Sequence, residues 1–429
     1  LETGMLHWRD AGPGGTGACV AYVEAAGAWI AACAPLVAAA DPGAAAAEAG
    51  AAAGRFVEAA RAAGRRACFF ATETLEVPAM ARTLVGEQPV FRPGAWVKEL
   101  SRHRRLREQL RRARAKGLRA RRVEAGELAA GTPLRVEVDH LGASWLRARH
   151  LEPMGFLAAV EPFQHPEAHR YFVAEQRGRV VGFLSAVPMG RGRAWLAEDV
   201  FRDRAAPSGT TETLIHALML DVADADAVTL GLTALSGPVA WPLRAARWLS
   251  RPLYDFAGLR AFRERMHPHA WQPVYMVGPR WPGLHLLDAL RAFSRGSLAA
   301  FAARSFVRHP SGLPWALALP LPAWTLVLAW LALVHRASLL GFPPGELALW
   351  VAFDALLLFV LVRVAMRPRR SRLVVATSFA AFDAALSIGH LAWVGPGSTL
   401  LQASLRGVAT LAPTAGALLL AWATTQTTA

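Results

Sequence analysis

The sequence predicts an α/β protein that is followed by a bundle of membrane-spanning helices. The first observation is a change of composition near Pro310, because short apolar and charged segments alternate before it and long apolar runs follow it. The second is size, since 429 residues suffice for two or three domains. The third is a net charge of +15, almost all of it from arginine, a residue that binds phosphate through a planar fork. A GC-rich genome also raises arginine content, but it does not explain why the charge is clustered.

The N-terminal part alternates between strand-like and helical segments. Val20–Ile30 is strand-like or buried, Ala44–Ala63 has the pattern of an Ala-rich amphipathic helix, and Arg66–Thr72 has that of a buried strand. This alternation is typical of an α/β fold.

A second αβ unit begins near Thr132. Its predicted elements are a helix at Arg135–His150, strands at Tyr171–Glu175 and Val180–Pro188 around a turn at Arg177–Gly178, a strand at Trp195–Phe201, a helix at Thr210–Ala223 and a strand at Ala227–Leu232. This is the core order of the GNAT acyltransferase fold. This order predicts a GNAT-like half at 131–290, and the family resemblance described below implies a second such half at 15–130. We further predict a tail at 1–14, a basic linker at 291–312 and a four-helix transmembrane domain at 313–429.

Four apolar runs make up the predicted membrane domain. They are Trp315–Val334, Leu347–Met366, Leu373–Val394 and Leu400–Ala423, and each has the roughly 20 residues that cross a bilayer as a helix. Pro320 and Pro322 lie near the start of the first run, where proline is tolerated.

Arginines flank these runs unevenly. Arg304 and Arg308 precede the first run, Arg336 is the one basic residue in the first connection, and five lie at or between the ends of the second and third runs: Arg363, Arg367, Arg369, Arg370 and Arg372. The positive-inside rule then places the α/β part and the C-terminus in the cytoplasm. We expect a multi-pass protein of the bacterial inner membrane.

Ionisable residues also stand inside the apolar runs: Asp354, Asp383, His390 and Arg406. Such groups are costly in a membrane and usually face a bundle interior or a cavity. Two interpretations stay open, a path for a lipid headgroup and a polar contact between helices.

No motif indicates a metal, a cofactor or a cysteine nucleophile. Cys19, Cys33 and Cys68 stand in apolar surroundings at spacings that match no zinc or redox motif, which favours buried, inert thiols. The first residues, LETGM, lack the charged and apolar regions of a signal peptide.

A dense basic segment is predicted as one helix over Lys98–Arg122. Its basic residues include Arg102, Arg104, Arg105, Arg107, Arg111, Arg112, Arg114, Lys116, Arg119, Arg121 and Arg122. Leu106, Leu110 and Ala113 form a narrow apolar stripe, so the helix can dock and still expose arginines. Such a surface attracts tRNA phosphates or anionic lipid headgroups, although a charge run is often only a solvated face.

The loop Arg204–Gly209, RAAPSG, precedes Thr210 and a predicted helix. GNAT enzymes use an R/Q-x-x-G-x-G/A loop here to bind the pyrophosphate of coenzyme A at a helix N-terminus. Pro207 stands where the first glycine belongs and removes a donor, which weakens that interpretation. A plain helix cap is the alternative.

Several motifs resemble the C-terminal catalytic domain of the phosphatidylglycerol lysyltransferase family, over about residues 15–285. The strongest is Leu253–Tyr275, LYDFAGLRAFRERMHPHAWQPVY; shorter ones are VGEQP at 85–89, LGLTALSG at 230–237 and APSG at 206–209. Family members move an amino acid from aminoacyl-tRNA to a membrane lipid. In the best-known members the membrane domain precedes the catalytic domain, whereas here it follows and is short.

The resemblance assigns roles to matching residues. In Glu198-Asp199-x-x-Arg202, Asp199 would contact the substrate α-amino group or transfer a proton, and Arg202 would orient a phosphate or the ester; a structural ion pair is the alternative. A carboxylate beside an arginine would keep a low pKa. The predicted substrate-binding residues are Ser208, Gly209, Thr210, Tyr254, Arg260, Arg263, Trp271 and Tyr275, and those for tRNA or phosphate are Arg104, Arg107, Arg111, Arg112, Arg114 and Lys116.

Arg260 and Arg263 are spaced i,i+3, which suits a grip on one phosphate, and Trp271 and Tyr275 suit stacking or the bilayer interface. The expected partners are aminoacyl-tRNA, phosphatidylglycerol or a related anionic lipid, and the membrane. The expected product has less negative charge and repels cationic antimicrobial peptides. Two alternatives are an acyl-CoA- or acyl-carrier-dependent N-acyltransferase for an amine lipid and a non-catalytic, membrane-tethered RNA- or lipid-binding protein.

Overall fold

The computed structural model divides the chain into two compact units, Leu1–Phe301 and Ala302–Ala429. It describes residues 4–11, 15, 17–39, 41–149, 153–250, 254–279, 282–308, 313–318, 320–334, 339–342, 346–366 and 369–426. Several predicted features fall outside the described residues, namely His150, Leu253, Pro310, Arg336 and Arg367.

The first part of the α/β unit contributes five strands around one long helix. They are β1 (Leu6–Arg9), β2 (Cys19–Ala25), β3 (Ala28–Ala32), helix α1 (Pro42–Ala62), β4 (Arg66–Thr72) and β5 (Met80–Phe91). Asp41 caps α1, because its carboxylate accepts the backbone N–H of Ala44 at 2.8 Å. The predicted helix and the predicted strand at Arg66–Thr72 are confirmed, and the strand-like segment is a hairpin of β2 and β3.

The second part begins with a helical segment and ends with a long strand. Its elements are α2 (Trp96–Arg102), α3 (Arg104–Ala115), β6 (Leu118–Val123), α4 (Pro133–Arg147), β7 (Arg170–Gln176), β8 (Arg179–Met189), β9 (Ala194–Arg202), α5 (Thr210–Asp221), β10 (Ala227–Thr229), β11 (Thr233–Ala234), α6 (Trp241–Leu249), α7 (Phe256–Arg265) and β12 (Ala270–Pro279). Helices α8 (Pro282–Phe293) and α9 (Leu298–Arg308) follow. The elements predicted from Arg135 to Leu232 are confirmed in type and order.

All twelve strands form one mixed sheet in the order β1-β2-β3-β4-β12-β5-β10-β9-β8-β7-β6, with β11 paired to β5. Each half repeats one arrangement: an antiparallel meander, then a crossover helix, then a parallel strand. In the first half α1 joins the parallel pair β3–β4, and in the second α5 joins β9–β10. The tandem GNAT-like fold class is thus confirmed. The division at 130/131 stays a prediction, and strands cross it, since β6 pairs with β7 and β12 pairs with β4 and β5.

Apolar side chains fill both faces of the sheet. In the first half Phe56 of α1 packs against Tyr22, Trp29 and Phe69, with ring centroids 5.4–5.6 Å apart. In the second half α5 covers one face and α4 the other. Burying one large apolar side chain contributes about 1.5–3 kcal/mol, so these clusters hold the strands in register.

The predicted single helix over Lys98–Arg122 is wrong. His103 adopts φ −106° and ψ 85° between α2 and α3, and Gly117 has φ +78° after α3 ends. A residue outside the helical region breaks the i→i−4 ladder, and glycine supplies the positive φ at low cost. Arg119, Arg121 and Arg122 therefore lie on strand β6, whereas the other basic residues stay helical or flank α3.

The VGEQP motif at 85–89, which resembles a Gly-Glu turn of the family, does not form a turn, because these residues belong to strand β5. Gly86 lies where β11 pairs with β5, and a Cβ there would collide with the carbonyl oxygen of Thr233. The glycine thus signals a close approach of two backbones and not a turn.

The second unit is helical. It contains the end of α9 and helices α10 (Leu313–Ala318), α11 (Leu321–Leu333), α12 (Glu346–Met366), α13 (Arg370–Val394) and α14 (Leu400–Gln426). Within the described residues, α12, α13 and α14 are long and apolar enough to cross a membrane. Within the first predicted run the structure describes α10, which ends at Ala318, and α11, which begins at Leu321 after Pro320, a residue that lacks a backbone N–H. The four-helix membrane domain stays a prediction.

Candidate active site

A β-bulge in β9 directs Asp199 into the interior of the α/β unit. Ser185 of β8 pairs with Asp199, but the next residue, Ala186, pairs with Ala197, so Glu198 is the extra residue. Trp195 and Ala197 face the α5 side of the sheet, whereas Phe201 faces the α4 side. The bulge therefore reverses the alternation of the strand and turns Asp199 toward the α4 side.

Asp199 is a buried carboxylate with few hydrogen-bond donors. The Ser185 hydroxyl donates to Asp199 Oδ2 at 3.5 Å, and the backbone N–H of Asp199 donates to Ser185 Oγ at 3.3 Å. Burial, followed by the charge of Glu198, raises the pKa of Asp199 to about 7. The expectation of a low pKa is wrong, and a carboxyl group that titrates near neutral pH is suited to proton transfer.

Arg202 is not the partner of Asp199. It lies three residues further along β9, on the exposed face, and its guanidinium donates to the carbonyl oxygen of Ala206 at 3.4 Å. An odd spacing on a regular strand places two side chains on opposite faces. The predicted Asp199–Arg202 pair is therefore wrong, and the role of Arg202 at the ester stays a prediction.

His169 and Glu198 form a second polar pair beside Asp199. His169 Nε2 lies 3.5 Å from Glu198 Oε2, and His169 Nδ1 lies 2.9 Å from the carbonyl oxygen of His165. Burial lowers the pKa of His169, but these two partners outweigh it, so the pKa is raised. The ring also stacks on Tyr171 at 5.6 Å. No local pattern in the sequence marks His169, because it precedes β7 by one residue and reaches the site only through the sheet.

Arg149 connects this site to the motif at 253–275. Its positive charge lowers the pKa of Asp199, and its own pKa is lowered by burial and raised by Tyr254 and Asp199. Its guanidinium lies over the ring of Trp145 at 3.5 Å. Tyr254, a predicted substrate-binding residue, is thus brought close to the Asp199 site.

Three of the four motifs that resemble the family meet in one polar network. Glu87, from the VGEQP motif, forms an ion pair with Arg260 of α7. The Ser236 hydroxyl, from the LGLTALSG motif, accepts the N–H of Glu87 at 3.1 Å and donates to the carbonyl oxygen of Thr233 at 2.7 Å. Segments that are far apart in sequence are thereby joined, since Arg260 and Glu87 are separated by 173 positions.

Arg263 supports the loop between β10 and β11. Its guanidinium donates to the carbonyl oxygens of Leu230 and Gly231 and to the Thr233 hydroxyl, the last at 2.6 Å. Burial lowers its pKa to about 10. Both guanidinium groups are thus bonded to protein groups, and their shared grip on one phosphate stays a prediction.

The two predicted aromatic contacts lie under arginines. Arg260 stands over the ring of Trp271 at 4.3 Å, and Arg82 stands over the ring of Tyr275 at 4.0 Å. Both aromatics are half-buried on β12. The first cation–π contact joins α7 to β12, and the second joins β5 to β12.

The sheet opens next to Asp199. The parallel ladder of β9 with β10 runs from Ala194 to Leu196, whereas β9 continues to Arg202. After Thr229 the chain leaves β9 and continues beside β5 as β11. Backbone groups of β9 beyond Leu196 therefore border a gap between strands, where a substrate carbonyl would find hydrogen-bond donors.

Helix α3 covers the APSG loop. Gly209 and Thr210 are buried, and a Cβ on Gly209 would lie 3.1 Å from the Cβ of Ala113. Gln109 donates to Glu212, in the first turn of α5, at 2.6 Å. The N-terminus of α5 is thus packed against protein, which opposes contact of Gly209 or Thr210 with a phosphate. Ser208 alone of the three predicted residues is exposed.

The outer face of α3 forms an exposed basic surface. Arg111 and Arg112 both bond Glu108 at 2.8 Å, and these contacts lower the pKa of that carboxyl group to about 2. Three other predicted tRNA-binding residues form no ion pair within the described part of the chain and are exposed: Arg104, Arg107 and Arg114. Lys116, just after α3, is exposed as well.

A second exposed surface lies on α6. Trp241 and Trp248 are 72% and 61% exposed, and Arg244 is exposed on the same helix. Exposed tryptophans next to arginines are typical of a helix that contacts an anionic bilayer surface. The sequence interpretation did not single out this helix.

Within the described residues, no group of three or more His, Cys, Asp or Glu side chains could hold a metal ion. The site consists of a buried carboxylate, a neighbouring carboxylate–histidine pair, half-buried arginines and an open strand edge.

The family follows from comparison with known proteins. The family model "Phosphatidylglycerol lysyltransferase, C-terminal" matches residues 10–278, so the chain belongs to this family and the predicted resemblance is confirmed. No curated protein matches the chain significantly.

Two solved structures share the fold. The C-terminal domain of a protein described as a putative lysylphosphatidylglycerol synthetase, from Agrobacterium fabrum, is 22% identical, with 69% of this chain and 91% of that chain covered and a TM-score of 0.56. L-PGS from Bacillus licheniformis is 17% identical, with 68% and 89% covered and a TM-score of 0.54.

Proposed function

We propose that the chain transfers an amino acid from aminoacyl-tRNA to the hydroxyl group of phosphatidylglycerol or a related anionic lipid. Membership of the family supports a transferase that acts on phosphatidylglycerol. The observation that carries the finer statement is Asp199, a buried carboxyl group whose pKa is raised to about 7 beside an open strand edge. Such a group accepts a proton at neutral pH and returns it without a metal.

The reaction is an exchange of esters. The lipid hydroxyl attacks the ester carbonyl carbon while Asp199 accepts the hydroxyl proton. Backbone N–H groups of β9 beyond Leu196 stabilise the oxyanion, and the carbon–oxygen bond to the tRNA ribose then breaks with return of the proton to the ribose oxygen. One ester bond forms and one breaks, so the step is nearly isoenergetic and positioning supplies much of the rate.

The exposed surfaces of α3 and α6 suit the two proposed substrates. The exposed arginines of α3 match the phosphates of an RNA backbone, and the Trp241–Trp248 face of α6 matches a lipid surface. The packing of α3 over Gly209 favours tRNA over coenzyme A as the donor, because the N-terminus of α5 is not open to a pyrophosphate. We further propose a multi-pass protein of the bacterial inner membrane with the α/β unit in the cytoplasm.

Thin-layer chromatography of lipids from cells that express the chain tests this function. We expect a ninhydrin-positive lipid that is absent when Asp199→Ala is expressed at the same level in the membrane. Hydrolysis of that lipid identifies the amino acid. Absence of the lipid from cells with folded, membrane-inserted wild-type protein contradicts the proposal.

A further inference from the structure

The helical unit contains a cavity of about 440 Å³ that helices α10 to α14 line. Most of the lining is aliphatic or aromatic, for example Leu328, Trp350 and Leu420. A volume of this size accommodates a small amphiphile or part of a lipid.

Two buried carboxyl groups face this cavity. Asp354 of α12 and Asp383 of α13 both line it, and each is 4% exposed. Within the described residues, Asp354 Oδ2 has no hydrogen-bond partner. An unsatisfied buried acceptor is costly, and a ligand with a hydrogen-bond donor would offset this cost inside an apolar bundle.

A third acceptor comes from the backbone of α14. Pro413 lies inside this helix and lacks an N–H, so the carbonyl oxygen of Ala409 does not receive the usual i→i−4 hydrogen bond. Both Ala409 and Pro413 line the cavity. The cavity thus offers acceptors from three different helices.

The basic residues of the lining are bonded to backbone at one end of the bundle. Arg406 donates to the carbonyl oxygens of Gly395 at 2.8 Å, Val394 at 3.2 Å and Leu339 at 3.3 Å, and His390 Nε2 lies 2.9 Å from that of Leu340. Asp354 lies about 12 Å along α12 from its start at 1.5 Å per residue, near the middle of the helix. The carboxyl groups therefore lie deeper than the guanidinium group, in the most apolar part of the unit.

We propose that this cavity binds an amphiphile through its primary ammonium group. An ammonium group has one positive charge and three N–H donors, which match two carboxyl groups and the carbonyl oxygen that lacks its i→i−4 donor. The hydrocarbon part would lie along the aliphatic lining. One link rests on the proposed function: an aminoacylated lipid carries a primary ammonium group, so the product of the α/β unit belongs to this ligand class.

Three ligands test the N–H donors and the positive charge separately: octylammonium, octyltrimethylammonium and octanol. They share one alkyl chain, but the second lacks N–H donors and the third lacks the charge. We expect the full chain in phosphatidylcholine nanodiscs to bind octylammonium at least about 10-fold more tightly than the other two, by calorimetry. Equal affinity for all three would overturn the proposal, because it would indicate partition into any apolar space.

Substitutions of the two aspartates test whether octylammonium binds in this cavity. Asp354→Asn and Asp383→Asn should each weaken octylammonium binding by about 10-fold or more, while Glu346→Gln, at the exposed start of α12, should leave it unchanged. Thermal unfolding of each variant verifies the fold, and neutral side chains at buried sites should not lower the unfolding temperature. Unchanged affinity in both aspartate variants would overturn the proposal.

The test also distinguishes this site from the proposed reaction. Octylammonium binding without any ninhydrin-positive lipid would retain the cavity assignment and contradict aminoacyl transfer. The lipid product without selective octylammonium binding would retain the transfer and contradict the cavity assignment.

Discussion

The two halves of the sheet share a topology but differ where it matters for chemistry. In the first half β3 pairs with β2 through an unbroken ladder and with β4 along its whole length, from Ala28 to Ala32. In the second half a bulge interrupts the ladder of β8 and β9, and the parallel pairing of β9 ends early, at Leu196. Local departures from a regular sheet, and not the fold itself, therefore create the buried carboxylate and the open edge.

The cores of the two halves differ in the same way. The first half pairs its buried carboxylate, Asp10, with Arg55 at 2.6 Å, whereas the buried carboxylate of Asp199 in the second half has the Ser185 hydroxyl at 3.5 Å. Polar groups in a core cost stability unless they are hydrogen-bonded. The second half tolerates this cost next to the proposed reaction site.

The largest expected effect is that of Asp199→Asn. The variant should lower kcat for aminoacyl transfer by about 10²–10⁴-fold, because an amide cannot accept the proton. Glu24→Gln is the matched control in the first half, since Glu24 is exposed and bonds Trp29. Measured initial rates with saturating substrates decide the comparison, and equal rates for both variants would remove Asp199 from the mechanism.

Arginine removal should separate stability from activity between the halves. Arg263→Met should destabilise the fold by about 1.5–3 kcal/mol and also lower activity, because the β10–β11 loop beside the site loses its donors. Arg66→Met removes the ion pair between β4 of the first half and buried Asp288 of α8, away from Asp199. This variant should lower stability but leave kcat unchanged in the remaining folded protein. Chemical denaturation and kcat, measured on the same samples, check both. A fully active Arg263→Met protein would contradict the bracing role.

The exposed arginines of α3 should affect the binding of aminoacyl-tRNA and not the rate of the chemical step. Replacing Arg104, Arg107 and Arg114 by glutamine should raise KM for aminoacyl-tRNA. The salt dependence of binding should also fall, by about 0.7–0.9 in log–log slope for each phosphate that the variant no longer neutralises. Arg111→Gln with Arg112→Gln is the control, and its effect should be smaller because Glu108 already pairs with both. A larger effect in the control pair would reassign the tRNA surface.

The smallest expected effect concerns pH. Activity should rise as Asp199 loses its proton, with a midpoint near its pKa of about 7, and Glu198→Gln should move the midpoint to lower pH, because the charge of Glu198 raises that pKa. Rates between about pH 5 and 9 bracket this midpoint and measure the shift. A midpoint that moves upward, or does not move, would contradict the assignment of the titration to Asp199.

The raised pKa of Asp199 also predicts how the free energy of unfolding depends on pH. Protonated Asp199 is favoured in the folded state, so the free energy of unfolding should fall as pH rises from the unfolded pKa, about 4, to the folded pKa of about 7. Asp199→Asn should remove this part of the pH dependence. Urea denaturation of both proteins across that range provides the measurement.

Local patterns predicted much of the fold. The strand at Arg66–Thr72 and the elements around β7, β8 and β9 follow from hydrophobic alternation and turn residues, which depend on neighbours in sequence. Strand β5 was missed because Gly86 and Pro89 are typical of turns, and only its contact with β11 explains the glycine.

The candidate site was predictable only where a motif carried it. Asp199 was found by family resemblance, but its partners His169, Ser185 and Arg149 come together through the sheet and leave no spacing signal. Arg202 was misplaced because strand alternation separates it from Asp199. The raised pKa of Asp199 also depends on burial, which a motif does not report.

The most direct test is transfer by the purified full chain in phosphatidylglycerol vesicles, with aminoacyl-tRNA labelled in the amino acid. We expect label in the lipid fraction, loss of transfer after RNase pretreatment of the tRNA, and loss of transfer with Asp199→Asn. Label that reaches lipid after RNase pretreatment, or that depends on coenzyme A, would contradict transfer from aminoacyl-tRNA.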